Sequence, residues 1–459
     1  MARVGVRDGF FALGGDSIMS IQLVSRARRA GLRLTPRDVF ERRTVAALAA
    51  VCGRADETPA GPGDDPAGPV ALTPIMHWAR ERGPIDGFYQ SVTSAIPPEV
   101  TEEDLIAAVQ ALLDRHEALR MRLSPDWEPE ILERVDARPL VGRGPVDDPA
   151  AVAAGLSPWD GVMLRVAWSP GRVLAVAHHL AVDGVSWRIL LADLADALAG
   201  KDLAPVPVSY RRWAGTLGRR AAAARDALPY WLELLGEAEP PLGSRALDPA
   251  RDTVATARRF TVTVPAVDPA RFHATAGEVL LAALATAAGR WRGLPSVLVD
   301  VEGHGRDGEL DLSRTVGWFT TVHPVRLHTG EPVKAVKERL RAMPPPETHG
   351  LLRYLDPQAG PLLAAAPGRP QIGFNHLGRV AASAAADTTL GGGSAPEAPL
   401  AHVLELTTIT VGDELRATWS WADGLLAEDE VRELAGHWSD ALAEIAGQPG
   451  GHTPPTSRW

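Results

Sequence analysis

Cysteine is nearly absent from this chain of 459 residues. Cys52 stands alone, which excludes a disulfide framework and any zinc site built on paired cysteines. Lysine is almost as scarce. Only Lys201, Lys334 and Lys337 occur, so arginine carries the basic charge; with the load of Ala, Gly and Pro this reflects coding bias rather than chemistry. The formal net charge is −10, so no nucleic-acid partner is expected. No apolar run approaches the roughly 18 residues of a spanning helix, and Met1 to Asp8 hold no apolar stretch of the secretory kind. What remains is 45% hydrophobic and 23% charged, the balance of a globular protein. These readings predict a cytoplasmic, multi-lobed enzyme with no membrane partner.

Composition breaks early. Arg54 to Val70 is rich in Pro, Gly, Ala and Asp and has too few large apolar side chains to fold alone. Before it, Ile18, Ile21, Val24 and Ala27 recur at three-residue steps and predict a helix over Ser17 to Arg29. Thr44 is placed to cap a second helix running to Val51. After the break, strand-like and helix-like runs alternate. Arg172 to Ala177 and Val297 to Val301 read as strands, as do Ala401 to Val411 and Leu415 to Trp421. Val185 to Leu198 and Glu428 to Ile445 read as helices. A sparse polar stretch from Gly236 to Asp252 separates the two blocks. The expected organisation is a helical unit over 1–52, a linker over 53–70, and two lobes of a mixed α/β (α+β) fold over 71–236 and 237–449.

Three constellations can carry chemistry. Leu13-Gly14-Gly15-Asp16-Ser17 puts a serine at a helix N-terminus, where free N–H groups favour an attached phosphate, although Asp16 or Ser17 could equally be a simple cap. His178-His179-Leu180-Ala181-Val182-Asp183-Gly184 ends a strand on two histidines. Adjacent strand residues point to opposite faces, so one of them can reach a given site. A lone strand histidine is more often a satisfied core residue, and the spacing suits no metal. Glu302-Gly303-His304-Gly305-Arg306 follows the second strand, where a carboxylate opens into a Gly-rich turn that could also be merely solvated.

The company these residues keep points to a family. Phe10 to Ser17, with Gly31-Leu32, Asp38-Val39-Phe40 and Thr44 to Leu48, resembles a peptidyl carrier domain of the nonribosomal peptide synthetases. The resemblance implies that Ser17 receives a 4′-phosphopantetheine arm from a phosphopantetheinyl transferase. The family is a four-helix bundle, so the matching segment lacks the first helix. The HHxxxDG pattern resembles the condensation superfamily, whose lobes have the chloramphenicol acetyltransferase fold. It implies His179 as the catalytic histidine, with His178 and Asp183 structural. EGHGR resembles the signature of epimerization domains within that superfamily. Arg314 to Thr320, Leu351 to Leu355, Gly373 to Arg379, Leu72 to Trp78 and Arg115 to Arg120 match in the family's order, so the likeness runs from about Leu72 to Ala446. Three positions depart from it: His376 and His349 stand where the family usually has Tyr, and Asp307 where it has Glu.

The implied reaction removes and returns the Cα proton of an aminoacyl or peptidyl thioester. It needs a positioned base and donors for the charge that develops on oxygen. The resemblance therefore implies Glu302 and His179 on either side of Cα, Asn375 and His376 orienting the thioester, and Asp183 with Arg306 as a buried ion pair. It also implies adenylation and condensation domains as partners, and no metal. Two alternatives stay open: a condensation domain forming amide bonds, which has no need of Glu302, and a non-catalytic interaction module, which has no need of His179.

Overall fold

The computed structural model describes residues 4–447 apart from 11, 12, 14, 16–18, 21, 22, 25, 28, 29, 55–66, 307, 309 and 381–387. The helix expected over Ser17 to Arg29 and most of the expected linker include residues outside that set, as do Ser17 and Asp307. Of the first unit, α1 (Pro36–Arg42) opens on a Thr35–Asp38 capping box, and α2 (Val45–Val51) opens on Thr44, whose side chain accepts from Ala47 N–H. Val24, Leu34, Val39 and Leu48 close a small core beneath them.

Beyond residue 67 the chain runs through α3 (Pro74–Arg82), β1 (Tyr89–Ala95), α4 (Glu102–Arg115), β2 (Val141–Arg143), β3 (Leu164–Ser169), β4 (Arg172–His178) and α5 (Gly184–Leu198). It continues through β5 (Ala257–Pro265), α6 (Ala276–Arg292), β6 (Ser296–Gly303), β7 (Thr321–His328), α7 (Glu347–Leu355), β8 (Ile372–Val380), β9 (Thr388–Gly393), β10 (Leu404–Val411), β11 (Glu414–Ala422) and α8 (Glu428–Gly447). Two large sheets result. The first has the order β9-β1-β4-β3-β2 and packs its core against α4 and α5; the second has the order β5-β11-β10-β8-β6-β7 and packs against α6 and α8. This is the mixed α/β, two-lobed fold expected from the sequence.

Period-2 alternation decides which side chains leave the second core. Val297 and Val299 of β6 join the core under α6 and α8, and Val301 packs at its edge. Leu298 lies on the other face against Trp231 and Leu352. Asp300 and Glu302 share the parity of Leu298, so they face away from α6 and α8. Likewise Ile372 and Phe374 of β8, and Leu404 and Leu406 of β10, are core residues, which turns Gly373, Asn375 and Glu405 to the same side as Glu302. The β-ladder aligns them: Asp300 pairs with Gly373, which pairs with Glu405.

The lobes are tied together by exchange of segments. β9, from the C-terminal half, hydrogen-bonds antiparallel to β1 and so edges the first sheet. The loop between β6 and β7 sends Leu312, Val316, Trp318 and Phe319 into the first lobe's core. Among the described residues no helix is long and apolar enough to cross a membrane.

Candidate active site

An open cleft of about 1670 Å³ lies between the lobes, lined by His179 and Gln90 from the first and by Glu302, Asn375 and His376 from the second. β4 delivers the two histidines to different surroundings. His178 is fully buried. Its Nε2 lies 3.0 Å from the Ile85 carbonyl, and its Nδ1 accepts from Leu180 N–H, so the ring secures the turn and burial lowers its pKa to about 4. His179, one residue on in a short 3₁₀ turn, stacks on Phe88 with ring centres 4.6 Å apart and planes 14° apart, and lies 4.8 Å from Trp318. The surrounding protein disfavours its charged form and also lowers its pKa to about 4, so it is neutral at physiological pH.

Asp183 caps α5 through Ser186 N–H at 2.8 Å and reaches Arg306 Nη1 at 2.5 Å. Arg306 also donates to Ser186 Oγ and to the Thr315 carbonyl, and it lies over the Phe319 ring. This buried pair joins the turn after His179 to the turn after Glu302. The second turn depends on Gly305: its φ is +63°, and a Cβ there would lie 1.7 Å from the Phe319 carbonyl oxygen.

Glu302 receives Asn375 Nδ2 at 2.7 Å. Crowding by protein atoms, with the Glu405 and Asp300 carboxylates added, raises its pKa to about 7 against the opposing pull of His402. The side chain is nonetheless accessible from the open cleft. Water there tempers the shift, and a substrate that displaces the water restores it. His376 turns elsewhere. Thr408 Oγ1 donates to the Asn375 carbonyl, so it accepts from His376 Nδ1 at 3.0 Å. The β8–β10 register slips directly after this residue, which is how neighbouring strand residues both border the cleft. His349 is turned inward, edge-on to Trp231 with ring centres 5.3 Å apart.

Several residues the sequence reading did not single out belong to the site. His402 places Nε2 3.0 Å from Asp300 Oδ2 and Nδ1 3.3 Å from Glu405 Oε1. Carboxylates only accept, so both ring nitrogens carry protons. Burial opposes that charge, but the two carboxylates outweigh it and raise the pKa to about 9. Gly373 makes the room, since a Cβ there would come within 2.6 Å of His402 Nδ1. Arg82 crosses from α3 to donate to the Ala401 carbonyl beside this cluster. The alternation in Val299-Asp300-Val301-Glu302 was a signal for Asp300; nothing local marks His402 or Gln90.

Ser17 lies outside the described residues. Leu13 and Gly15 line the same cleft as His179 and Glu302, and Arg43 beside α1 donates to the His273 carbonyl of the second lobe. Among the described residues no group of three or more His, Cys, Asp and Glu side chains could hold a metal ion.

Comparison with known proteins adds the following. Residues 157–351 match the condensation-domain family and residues 2–52 the phosphopantetheine attachment site family. One of the linear gramicidin synthase proteins of Brevibacillus parabrevis is 34% identical over 99% of this chain and 7% of that protein; surfactin synthase subunit 1 of Bacillus subtilis is 30% identical over 83% and 12%. The chain thus spans about a tenth of the length of these curated relatives. The epimerization domain from the third module of tyrocidine synthetase B superposes with a TM-score of 0.72 at 24% identity, covering 83% of this chain and 97% of that one. At this identity the likeness speaks for the fold alone.

Proposed function

The chain belongs to the condensation superfamily of the nonribosomal peptide synthetases, with a phosphopantetheine attachment region ahead of it, and from that premise we propose that it epimerizes a carrier-bound aminoacyl or peptidyl thioester from the L to the D form. The observation that carries this reading is Glu302: a cleft-facing carboxylate braced by Asn375, with a pKa of about 7, sharing the cleft with His179 from the other lobe. A group poised near neutrality can take or give a proton, and inversion at Cα needs such a group on each face, which Glu302 and His179 would supply.

In the reaction the Cα–H bond breaks and its proton passes to a base. The electron pair spreads onto the thioester carbonyl, and a proton then returns from the opposite side. Glu302 and His179 are the two proton-handling groups, and Asn375 holds the Glu302 carboxylate in line. The phosphopantetheine group supplies the thioester that acidifies Cα. In this reading it is attached to Ser17. Adenylation and condensation domains would act before and after it in the cytoplasm, and a phosphopantetheinyl transferase would load it.

Condensation is the competing reading, because the matching family is named for it. Amide formation gives the braced carboxylate of Glu302 no task. The test is Cα hydrogen exchange in D2O with an aminoacyl thioester on a carrier supplied in trans, with the chirality of the hydrolysed amino acid read alongside. Glu302→Gln should lower exchange by about 10²–10⁴ with the fold intact by circular dichroism. Exchange at the wild-type rate, or a new amide bond from an added amine with no Cα exchange, would overturn the proposal.

A further inference from the structure

The side chain of Gln90 on β1 spans two groups of different chemistry. Its Oε1 lies 3.0 Å from Trp187 Nε1, and its Nε2 lies 2.8 Å from His179 Nε2. An indole N–H can only donate, so the amide atom facing Trp187 must be the carbonyl oxygen, and the atom facing His179 must be the NH₂ group. That group is a donor, so His179 Nε2 must present a lone pair. From this chain of obligatory roles we infer that Gln90, set by Trp187, is a positioning residue that holds His179 neutral, protonated at Nδ1, with its Nε2 lone pair accepting from the Gln90 amide at the cleft wall.

The surroundings support the assignment. Phe88 and Trp318 cover the ring with carbon, and the backbone at His179 and Val182 is what favours a proton on it. Nδ1 is buried and makes no hydrogen bond of normal geometry, so the Gln90 contact at Nε2 is what sets the tautomer. The charged and titratable groups around it are accounted for. Asp183 of α5 is neutralised by Arg306 from the loop after β6; His178 of β4 is committed to the Ile85 carbonyl; Asp86 precedes β1; Glu302 and His304 lie along the cleft from the second lobe. A neutral donor leaves His179 a usable base, whereas a carboxylate at position 90 would fill the same space and demand the opposite tautomer. The substrate's Cα–H would take the place of the Gln90 amide at Nε2, and the amide would return when the proton leaves.

The inference rests on the epimerization reading only where activity is measured. The deciding experiment is ¹⁵N spectroscopy of the histidine rings in the full chain, with the His179 signals identified by their loss in His179→Gln. Wild type should show Nε2 unprotonated from about pH 5.5 to about 8.5. Gln90→Glu, which accepts from Trp187 and from His179 alike, should protonate Nε2 and keep the ring charged to higher pH. Trp187→Phe, which frees the amide to turn over, should yield a mixture of tautomers. A protonated Nε2 in the wild type, or an unchanged ring in Gln90→Glu, overturns the inference whether or not the chain epimerizes anything. In the exchange assay Gln90→Glu should slow turnover at neutral pH at least about tenfold and move the acid limb of the profile upward. An unmoved limb would leave Gln90 a packing residue. Wild-type chain with the inferred tautomer but no Cα exchange would sink the epimerization reading and leave this one standing.

Discussion

His179 stands in the first lobe between the rings of Phe88 and Trp318 and meets a neutral amide, whereas Glu302 stands in the second beside a row made of Asp300, His402 and Glu405. One group is tuned by removal of water and a single dipole, the other by crowding and by charges that oppose each other. The outcome is a pair suited to proton traffic near neutrality: an imidazole kept free of charge and a carboxylate raised toward pH 7. The contrast shows that the two halves of a site can reach compatible proton affinities through unrelated physics.

After the loss of exchange expected of Glu302→Gln, the largest effect should come from cutting the tie between the two environments. Arg306→Met leaves Asp183 buried without its cation and should lower stability by about 3–5 kcal/mol, measured by urea denaturation of the full chain. A loss below about 1 kcal/mol would mean that packing alone holds the two turns together. A smaller effect tests the charged side. His402→Gln removes the cation that holds Glu302 down, so the acid limb of the exchange profile should move to higher pH; a move to lower pH would contradict the arrangement. Stability carries the same signature. The pKa of His402 is raised from 6.5 to about 9 on folding, so its contribution is complete below about pH 6.5 and is lost as pH climbs through 9. The wild type should weaken across that window by urea midpoint, and the variant should not. The smallest effect tests the apolar side. Phe88→Leu should cost about 1 kcal/mol and let the pKa of His179 climb from about 4 toward 6.5 in an NMR titration. An unmoved titration would assign the neutrality of His179 to Gln90 rather than to the aromatic cover.

Half of the second sheet's six strands were legible in the sequence. Val297 to Val301, Ala401 to Val411 and Leu415 to Trp421 read as strands because alternating apolar residues leave few other ways to bury them, and β6, β10 and β11 lie there. β9 escaped notice. Thr388 to Gly393 ends in three glycines and carries one large apolar side chain, so its strand character comes from pairing with β1 rather than from propensity. The row under Glu302 was half legible: Asp300 follows from the parity of β6, but His402 sits 102 residues from its carboxylate partner and precedes the strand that bears Glu405. Gln90 is 89 residues from His179 and lies in an ordinary strand pattern.

By itself, then, the sequence determined several strands and helices and placed Glu302 where a strand ends, because periodicity is a local property of backbone geometry and of which side chains seek the core. It also singled out His179, Glu302, Asn375 and the Asp183–Arg306 pair through family likeness. Only the tertiary structure decided the protonation of those groups. A proton's free energy depends on burial and on donors and acceptors within a few ångströms, and here they arrive from strands and loops far apart along the chain: Gln90 and Phe88 to one ring, Asp300 and Glu405 to another.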